Sequence, residues 1–150
     1  YLNSKGDMQI FGYGANKLPI NSVVRKEHKG VKWGLDMYRI LGRSKISFNR
    51  HINTAENNAN NMRLYEATGM GSLLLTDMKD NLNSIFEIDK EIVTYTCKEE
   101  ALEKVKYLKN NPKKLYEIAS AGQKRTLKEH TYEIRMRELM EIIYLYLRKK

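Results

Sequence analysis

The sequence predicts an α/β domain: a parallel sheet flanked by helices, with a helical C-terminal end. Three observations carry this expectation. Short β-rich runs alternate with helical patterns between residues 8 and 95, the order that gives a parallel sheet with crossover connections. Residues 72–76 (SLLLT) form an unbroken apolar run, as in strands covered on both faces. After residue 95, helical periodicity continues with no further strand.

Residues 8–13 (MQIFGY) read as a first strand entering a tight turn at Gly12 and Gly14. Residues 14–30 are polar and irregular. Residues 35–41 (LDMYRIL) place Leu35, Tyr38 and Leu41 or Ile40 at helical spacing, and Gly42 closes the segment. Residues 45–49 (KISFN) alternate Ile46 and Phe48 against polar neighbours as a strand. The Asn-rich stretch at 50–60 is then a long loop of a kind that is usually functional or disordered. Asn60 or Asn61 is expected to cap a short helix carrying Met62, Tyr65 and Ala67, with Gly69 as its left-handed stop. The strand at 72–76 follows, with Asp77 at its carboxyl end.

Residues 81–86 are expected to form a brief helix and residues 91–95 (EIVTY) a last strand. Thr96 and Glu99 match a capping box for a helix that faces Ala101, Leu102, Val105 and Leu108 inward. Asn111 caps the next helix, with Pro112 at its first position and Leu115, Ile118, Ala119 and Gly122 on the inner face. The last helix begins near Thr131. Its stripe of Met136, Leu139, Met140, Ile143 and Leu147 is widened by Ile134, Ile142 and Leu145 beyond half the circumference.

A chain of 150 residues supports one core, so a single domain over residues 1–150 is expected. The net charge of +9 raises the question of nucleic acid. Its distribution argues against that partner: residues 1–60 carry +6, 61–100 carry −4 and 101–150 carry +7, and the last third alternates sign along helical faces. No nucleic-acid signature is present. The single cysteine, Cys97, fits a reducing compartment and reads as a small half-buried side chain rather than a nucleophile. The longest apolar run, residues 142–147, is too short to span a bilayer, and no signal peptide is visible. A soluble cytoplasmic chain is expected, with the inner membrane face as its peripheral alternative. The start at Tyr1 suggests a fragment.

Ligands of parallel sheets bind outside the carboxyl ends of the strands. That selects the turn at 12–17, the Asn-rich loop leading into the Asn61 helix, and the turn after Thr76. The helix start offers unpaired N–H groups and the positive end of the dipole, suited to a phosphate or diphosphate. Arg63 adds a fixed charge, and Glu66, one turn further on, has a carboxylate able to accept from both hydroxyls of a ribose. The same two side chains also fit an ordinary surface pair, which composition alone favours. His51, at the carboxyl end of the strand at 45–49, is a candidate contact, although a lone loop histidine is more often solvated. His28 carries no case. His130 reads as an anchor of the last helix.

The stretches GLDMYRILGRSKISFNRHI, NMRLYEATGMGSLLLTD, EIVTYTCKEEALEKVKYLKNNP and IASAGQKRTLKEHTYEIR occur in this order and spacing. Together they resemble the C-terminal domain of the group-1 GT-B glycosyltransferases, including the CgeB-like spore-maturation branch. The resemblance covers nearly everything after Val31, and residues 14–30 match little. It implies a Rossmann-like half of a GT-B fold that binds a nucleoside-diphosphate sugar, with no metal or other cofactor. It also implies an N-terminal acceptor domain, absent from this chain, whose cleft would admit an acceptor glycan, lipid or protein.

By the same resemblance, Glu66 holds the donor ribose, and the loop and helix start before it face the sugar and diphosphate. Relatives carry an E-x7-E pattern ending at that glutamate, whereas this chain has Asn58 at the first position and Glu56 two residues earlier. The expected substrate contacts are Gly12, Gly14, Asn49, His51, Asn61, Met62, Arg63 and Glu66. Without a metal, fixed cations must neutralise the departing diphosphate, so Arg63 and Lys17 are the catalytic candidates, with Lys45 weaker.

The function implied is a retaining, hexosyl-type transfer to an acceptor hydroxyl, with this chain inactive alone. A non-catalytic nucleotide- or glycan-binding module of the same fold is the alternative. The apolar last helix is expected to meet the missing domain or to pair with a second copy.

Overall fold

The computed structural model describes residues 8–148. Of the expected span of residues 1–150, positions 1–7 and 149–150 lie outside the described residues. A three-stranded parallel sheet in the order β1-β2-β3 forms the centre: β1 (Ile46–Phe48), β2 (Leu73–Asp77) and β3 (Val93–Tyr95). The helices are α1 (Val23–Lys26), α2 (Gly34–Arg43), α3 (Arg63–Gly69), α4 (Lys98–Asn110), α5 (Pro112–Glu129) and α6 (Tyr132–Leu147). The Rossmann-like α/β class is as expected, with its helical C-terminal end.

The apolar run becomes β2 because it lies between two strands and two layers of side chains. Residues 73–76 are all buried. Leu74 faces one core with Leu41, Leu64, Ala67 and Phe86, while Leu73 and Leu75 face the other with Val93, Leu108, Leu115 and Ile118. Alternate residues of β2 therefore supply opposite cores, as the strand period requires.

β1 departs from the simple alternation. Ser47 is its buried residue and Phe48 is exposed. The Ser47 hydroxyl is paired with that of Ser72 at 2.8 Å, which satisfies it inside, while the Phe48 ring stacks on Tyr95 with centroids 5.1 Å apart.

Residues 8–13 do not form the expected strand. Ile10 makes one isolated parallel bridge to His28, with Lys29 N donating to Ile10 O at 2.8 Å. Gly12 (φ 126°) and Gly14 (φ 85°) turn the chain at once. The extended run ends before it reaches the sheet and folds instead on residues 28–30. The irregular stretch at 14–30 holds a 3-10 turn, Ala15–Lys17, and the one-turn α1.

Several element ends shift for local reasons. Gly42 lies inside α2, where Met70 Cε would stand 3.0 Å from an added Cβ, and Ser44 ends the helix by donating its hydroxyl to Ile40 O. Leu35 is exposed, and Met37, Tyr38 and Leu41 supply the inner face of α2. α3 begins at Arg63 after Met62 rather than at an Asn cap, because the Asn61 amide is turned to Asn49 and that of Asn60 accepts from Tyr65. Gly69 is still helical, and Gly71 (φ 78°) makes the left-handed turn into β2.

The segment expected as a helix at 81–86 is a 3-10 turn, Leu82–Ser84. The box at the start of α4 uses Glu100 instead of Glu99: its carboxylate accepts from Thr96 N and Thr96 Oγ1, both at 2.7 Å, and Cys97 takes the cap position, exposed rather than half-buried. Asn111 precedes Pro112 as expected but points its amide back to Tyr107 O, so it makes no side-chain cap.

The inner face of α5 is the expected one, with Leu115, Ile118, Ala119 and Gly122 buried and Thr126 added. Gly122 is required there, since a Cβ would stand 2.3 Å from Glu91 O. In α6, whose N-cap Thr131 accepts from Ile134 N, no residue is buried.

Candidate functional site

The carboxyl ends of the three strands meet in a polar network. Asn49, the first residue after β1, extends the ladder by donating its backbone N–H to Leu75 O at 2.8 Å. Its side chain donates from Nδ2 to Thr76 Oγ1 at 3.0 Å, and its carbonyl accepts from Tyr95 Oη at 2.9 Å. One residue thus ties all three strands together.

Two positions further, His51 gives Asp77 two bonds: its backbone N–H reaches Oδ1 at 2.9 Å, and Nδ1 lies 2.7 Å from the same oxygen. His51 is 5% exposed, so this histidine is enclosed, contrary to the solvated reading. Burial pushes the Asp77 carboxyl up, but the hydrogen bonds and charge of His51 outweigh it and hold the group below its ordinary value. Burial, helped by the Asp77 charge, pushes the Tyr95 phenol up to about 12, so Tyr95 stays a protonated donor at neutral pH.

Beside this network opens a cleft of about 460 Å³ between the first turns of α2 and α3. Its lining is Trp33, Gly34, Met37 and Tyr38 from one side and Asn61, Met62, Arg63 and Glu66 from the other. Arg63 Nη1 lies 3.3 Å from Glu66 Oε2, and Arg63 Nη2 contacts Met37 Sδ at 3.5 Å. Arg63 and Glu66 do form the i,i+3 pair, and they form it in the cleft wall with Glu66 only 13% exposed. Asn61 joins cleft to network by donating from Nδ2 to Asn49 Oδ1 at 3.1 Å. Among the described residues, Asn61 Oδ1 and His51 Nε2 are buried without hydrogen-bond partners.

The sequence-derived candidates therefore divide. Asn61, Met62, Arg63 and Glu66 come together in the cleft, and Asn49 and His51 stand in the adjoining network. Gly12, Gly14 and Lys17 lie in the segment folded on residues 28–30, with Lys17 exposed. This segment meets the cleft rim through Tyr13, whose ring lies 5.5 Å from that of Trp33 and whose hydroxyl accepts from Trp33 Nε1 at 3.0 Å. Lys45 is exposed at the amino end of β1, the opposite end of the sheet.

His28 holds its turn with Nε2 at 2.6 Å from Gly12 O. His130 anchors the start of α6 as expected, through Ile85 O at 3.1 Å and Arg135 at 3.0 Å, with its ring against Tyr65 and Phe86. Trp33, Met37, Tyr38, Thr76 and Asp77 were missed as site components. Among these only Asp77, marked as the polar end of an apolar strand, gave a signal in the sequence. Among the described residues no three His, Cys, Asp or Glu side chains cluster as metal ligands would. No helix there is long and apolar enough to cross a membrane.

Residues 3–141 match the family described as glycosyl transferase-like. The chain belongs to that family. The match reaches back through residues 14–30, further than the resemblance read from the motifs. A search of curated proteins finds no match. For a glycosyl transferase-like domain with a parallel sheet, a cleft at the carboxyl ends of the strands is where ligands bind.

Proposed function

We propose that this domain binds a nucleoside-diphosphate sugar in the cleft between α2 and α3, as the donor half of a GT-B glycosyltransferase. Sugar transfer to an acceptor hydroxyl then takes place with a second domain. One observation carries the reading. A cation and a carboxylate, Arg63 and Glu66, stand one turn apart in the wall of an open cleft of about 460 Å³, at the start of a helix.

In this reading Arg63 neutralises the diphosphate and stabilises its charge as the sugar departs. Glu66 is already ion-paired with Arg63 through Oε2; Oε1, which takes no bond among the described residues, is left for a ribose hydroxyl. Trp33 and Tyr38 offer aromatic surface for the base. A retaining, hexosyl-type transfer without a metal and kinship with the CgeB-like branch follow from the motif resemblance and belong to the same proposal, as does a cytoplasmic place, which the lone cysteine suggests. So does inactivity of the domain without its acceptor half.

The test is NMR titration of the chain with UDP, GDP, ADP and TDP sugars, repeated with Glu66→Ala. The expected result is shifts confined to residues 33–38 and 61–71 with one base, weakened about tenfold or more in the variant, the worth of a charge-assisted hydrogen bond. Equal binding by the variant, or shifts elsewhere, refutes the assignment.

A further inference from the structure

Ala59, whose methyl group offers little to hold it, is fully enclosed in the core shared by Leu41 of α2 and Leu64 and Ala67 of α3. A backbone N–H and C=O buried there need partners inside the protein. Asn81 answers both: its Oδ1 accepts from Ala59 N at 2.6 Å, and its Nδ2 donates to Ala59 O at 2.8 Å. The side-chain amide thus takes the place of a neighbouring strand, across 22 positions of the chain.

The clasp continues on one side. Asp80 N donates to Asn57 O at 2.9 Å, and Lys79 Nζ donates to Glu56 O. The turn after β2 is therefore bonded to three residues of the run 56–59, by which the Asn-rich loop descends to α3. Glu56 stands at φ 48°, a left-handed conformation that is strained for a residue with a side chain and needs holding from outside. Asn81 precedes the 3-10 turn Leu82–Ser84 and makes no side-chain cap there. Its amide is spent on Ala59 instead.

Within four residues of Ala59 the chain reaches Asn61, Met62 and Arg63 in the cleft wall, whereas Asn81 is not among the lining residues. The far end of α3 is fixed independently, through the bond between the Thr68 and Thr126 hydroxyls. Its near end depends on the approach that Asn81 holds.

We propose that Asn81 is a positioning residue for nucleotide binding: it acts through Ala59 on the start of α3, keeping Arg63 and its neighbours in the geometry that the ligand meets, without touching the ligand. This rests on the nucleotide-sugar reading above. With the amide removed, the run 57–62 populates opened conformations, and a ligand that needs the closed one binds more weakly in proportion to the closed fraction.

The experiment compares the whole chain with its Asn81→Ala and Asn81→Asp variants by two readouts, affinity for UDP, GDP, ADP and TDP from NMR titration and amide exchange residue by residue. The carboxylate of Asn81→Asp keeps the shape and the acceptor for Ala59 N but has no hydrogen for Ala59 O, so it reports on the clasp should the alanine variant fail to fold. For the base that binds, Asn81→Ala is expected to lose roughly tenfold in affinity, within the roughly thirtyfold that two neutral hydrogen bonds are worth, and Asn81→Asp at least about threefold. Exchange should rise more at residues 57–63 than at residues 73–76, and saturating nucleotide should restore the protection.

A residue that only stabilised the fold would leave the affinity of the folded chain unchanged. Wild-type affinity in either folded variant, or exchange that rises equally throughout the domain, overturns the proposal and leaves the nucleotide site standing. If no nucleotide perturbs residues 61–71 of the wild type, the nucleotide-sugar reading falls and this assignment falls with it.

Discussion

Asp77 Oδ1 receives both the backbone N–H and Nδ1 of His51, at 2.9 and 2.7 Å, from a residue 26 positions earlier in the chain. The pair joins the loop after β1 to the end of β2 at the floor of the site. Because the carboxylate has no proton to give, Nδ1 carries the hydrogen whatever the charge of the ring.

Asp77→Asn should destabilise the domain by roughly 1.5–3 kcal/mol, the range for hydrogen bonds to a charged group. The Asp77 carboxyl is held below its ordinary value in the fold. Its stabilisation is therefore complete above the unfolded-state value and is lost as pH falls through the lowered one. Urea unfolding of wild type and variant from pH 7 down to pH 2 should show the gap between them closing at the acid end. A gap that stays constant with pH refutes the linkage.

Gly122→Ala places a Cβ 2.3 Å from a backbone carbonyl, Glu91 O, which cannot swing away. A loss of about 1–3 kcal/mol is expected, as for overpacked cores. Gly69→Ala is the control, since its Cβ meets only Thr126 Cγ2 at an ordinary 3.5 Å; it should be neutral or stabilising by up to about 1 kcal/mol. Thermal unfolding of the two variants measures the contrast.

Hydrogen bonds, first from Lys104 and then from Thr96, bring the Glu100 carboxyl down to about 2. The group is largely solvated, so Glu100→Gln should cost only a few tenths of a kcal/mol near neutral pH. The difference should vanish as pH falls through about 2. Amide exchange at the first turn of α4 is the sensitive measurement, and protection unchanged in the variant counts against the cap.

Met136, Leu139, Met140, Ile143 and Leu147 are all exposed on α6. Sedimentation velocity should show concentration-dependent association of the isolated chain. Leu139→Lys with Ile143→Lys should abolish it while changing unfolding of the core by less than about 0.5 kcal/mol, as surface substitutions do. Association that survives the double variant would assign it to another surface.

Where local pattern and burial coincide, the sequence was readable. The inner face of α5 follows the helical period through Leu115, Ile118, Ala119 and Gly122, and Leu73, Leu74 and Leu75 need two covered faces whichever core each enters. What escaped depends on partners distant in the chain. Residues 8–13 have strand composition, but their extended bonds go to residues 28–30. Asn61 has the chemistry of a cap, yet Asn49 competes for its amide and wins. Gly69 and Gly71 are both plausible stops, and only the fold decides that Gly71 is the left-handed one.

The site was legible to the same extent. The block from Asn61 to Glu66 lies within a single helical turn and its approach, so its coming together is a local event. Trp33, Met37 and Tyr38 reach the cleft from α2 across the chain, and the burial of His51 depends on Asp77. No periodicity in either segment announces these meetings.

Behind the cleft, Thr68 donates its hydroxyl to Leu64 O at 2.6 Å and shares a bond of the same length with Thr126 of α5. Each hydroxyl has one proton, so Thr126 is the donor in the second bond. α3 is in this way bolted at its rear to the longest helix of the domain, at buried positions where no water can take over the bond. The helix that carries Arg63 and Glu66 is consequently a fixed jaw. Any tightening around a ligand has to come from the facing wall of Trp33, Gly34, Met37 and Tyr38 or from the loop that leads into α3.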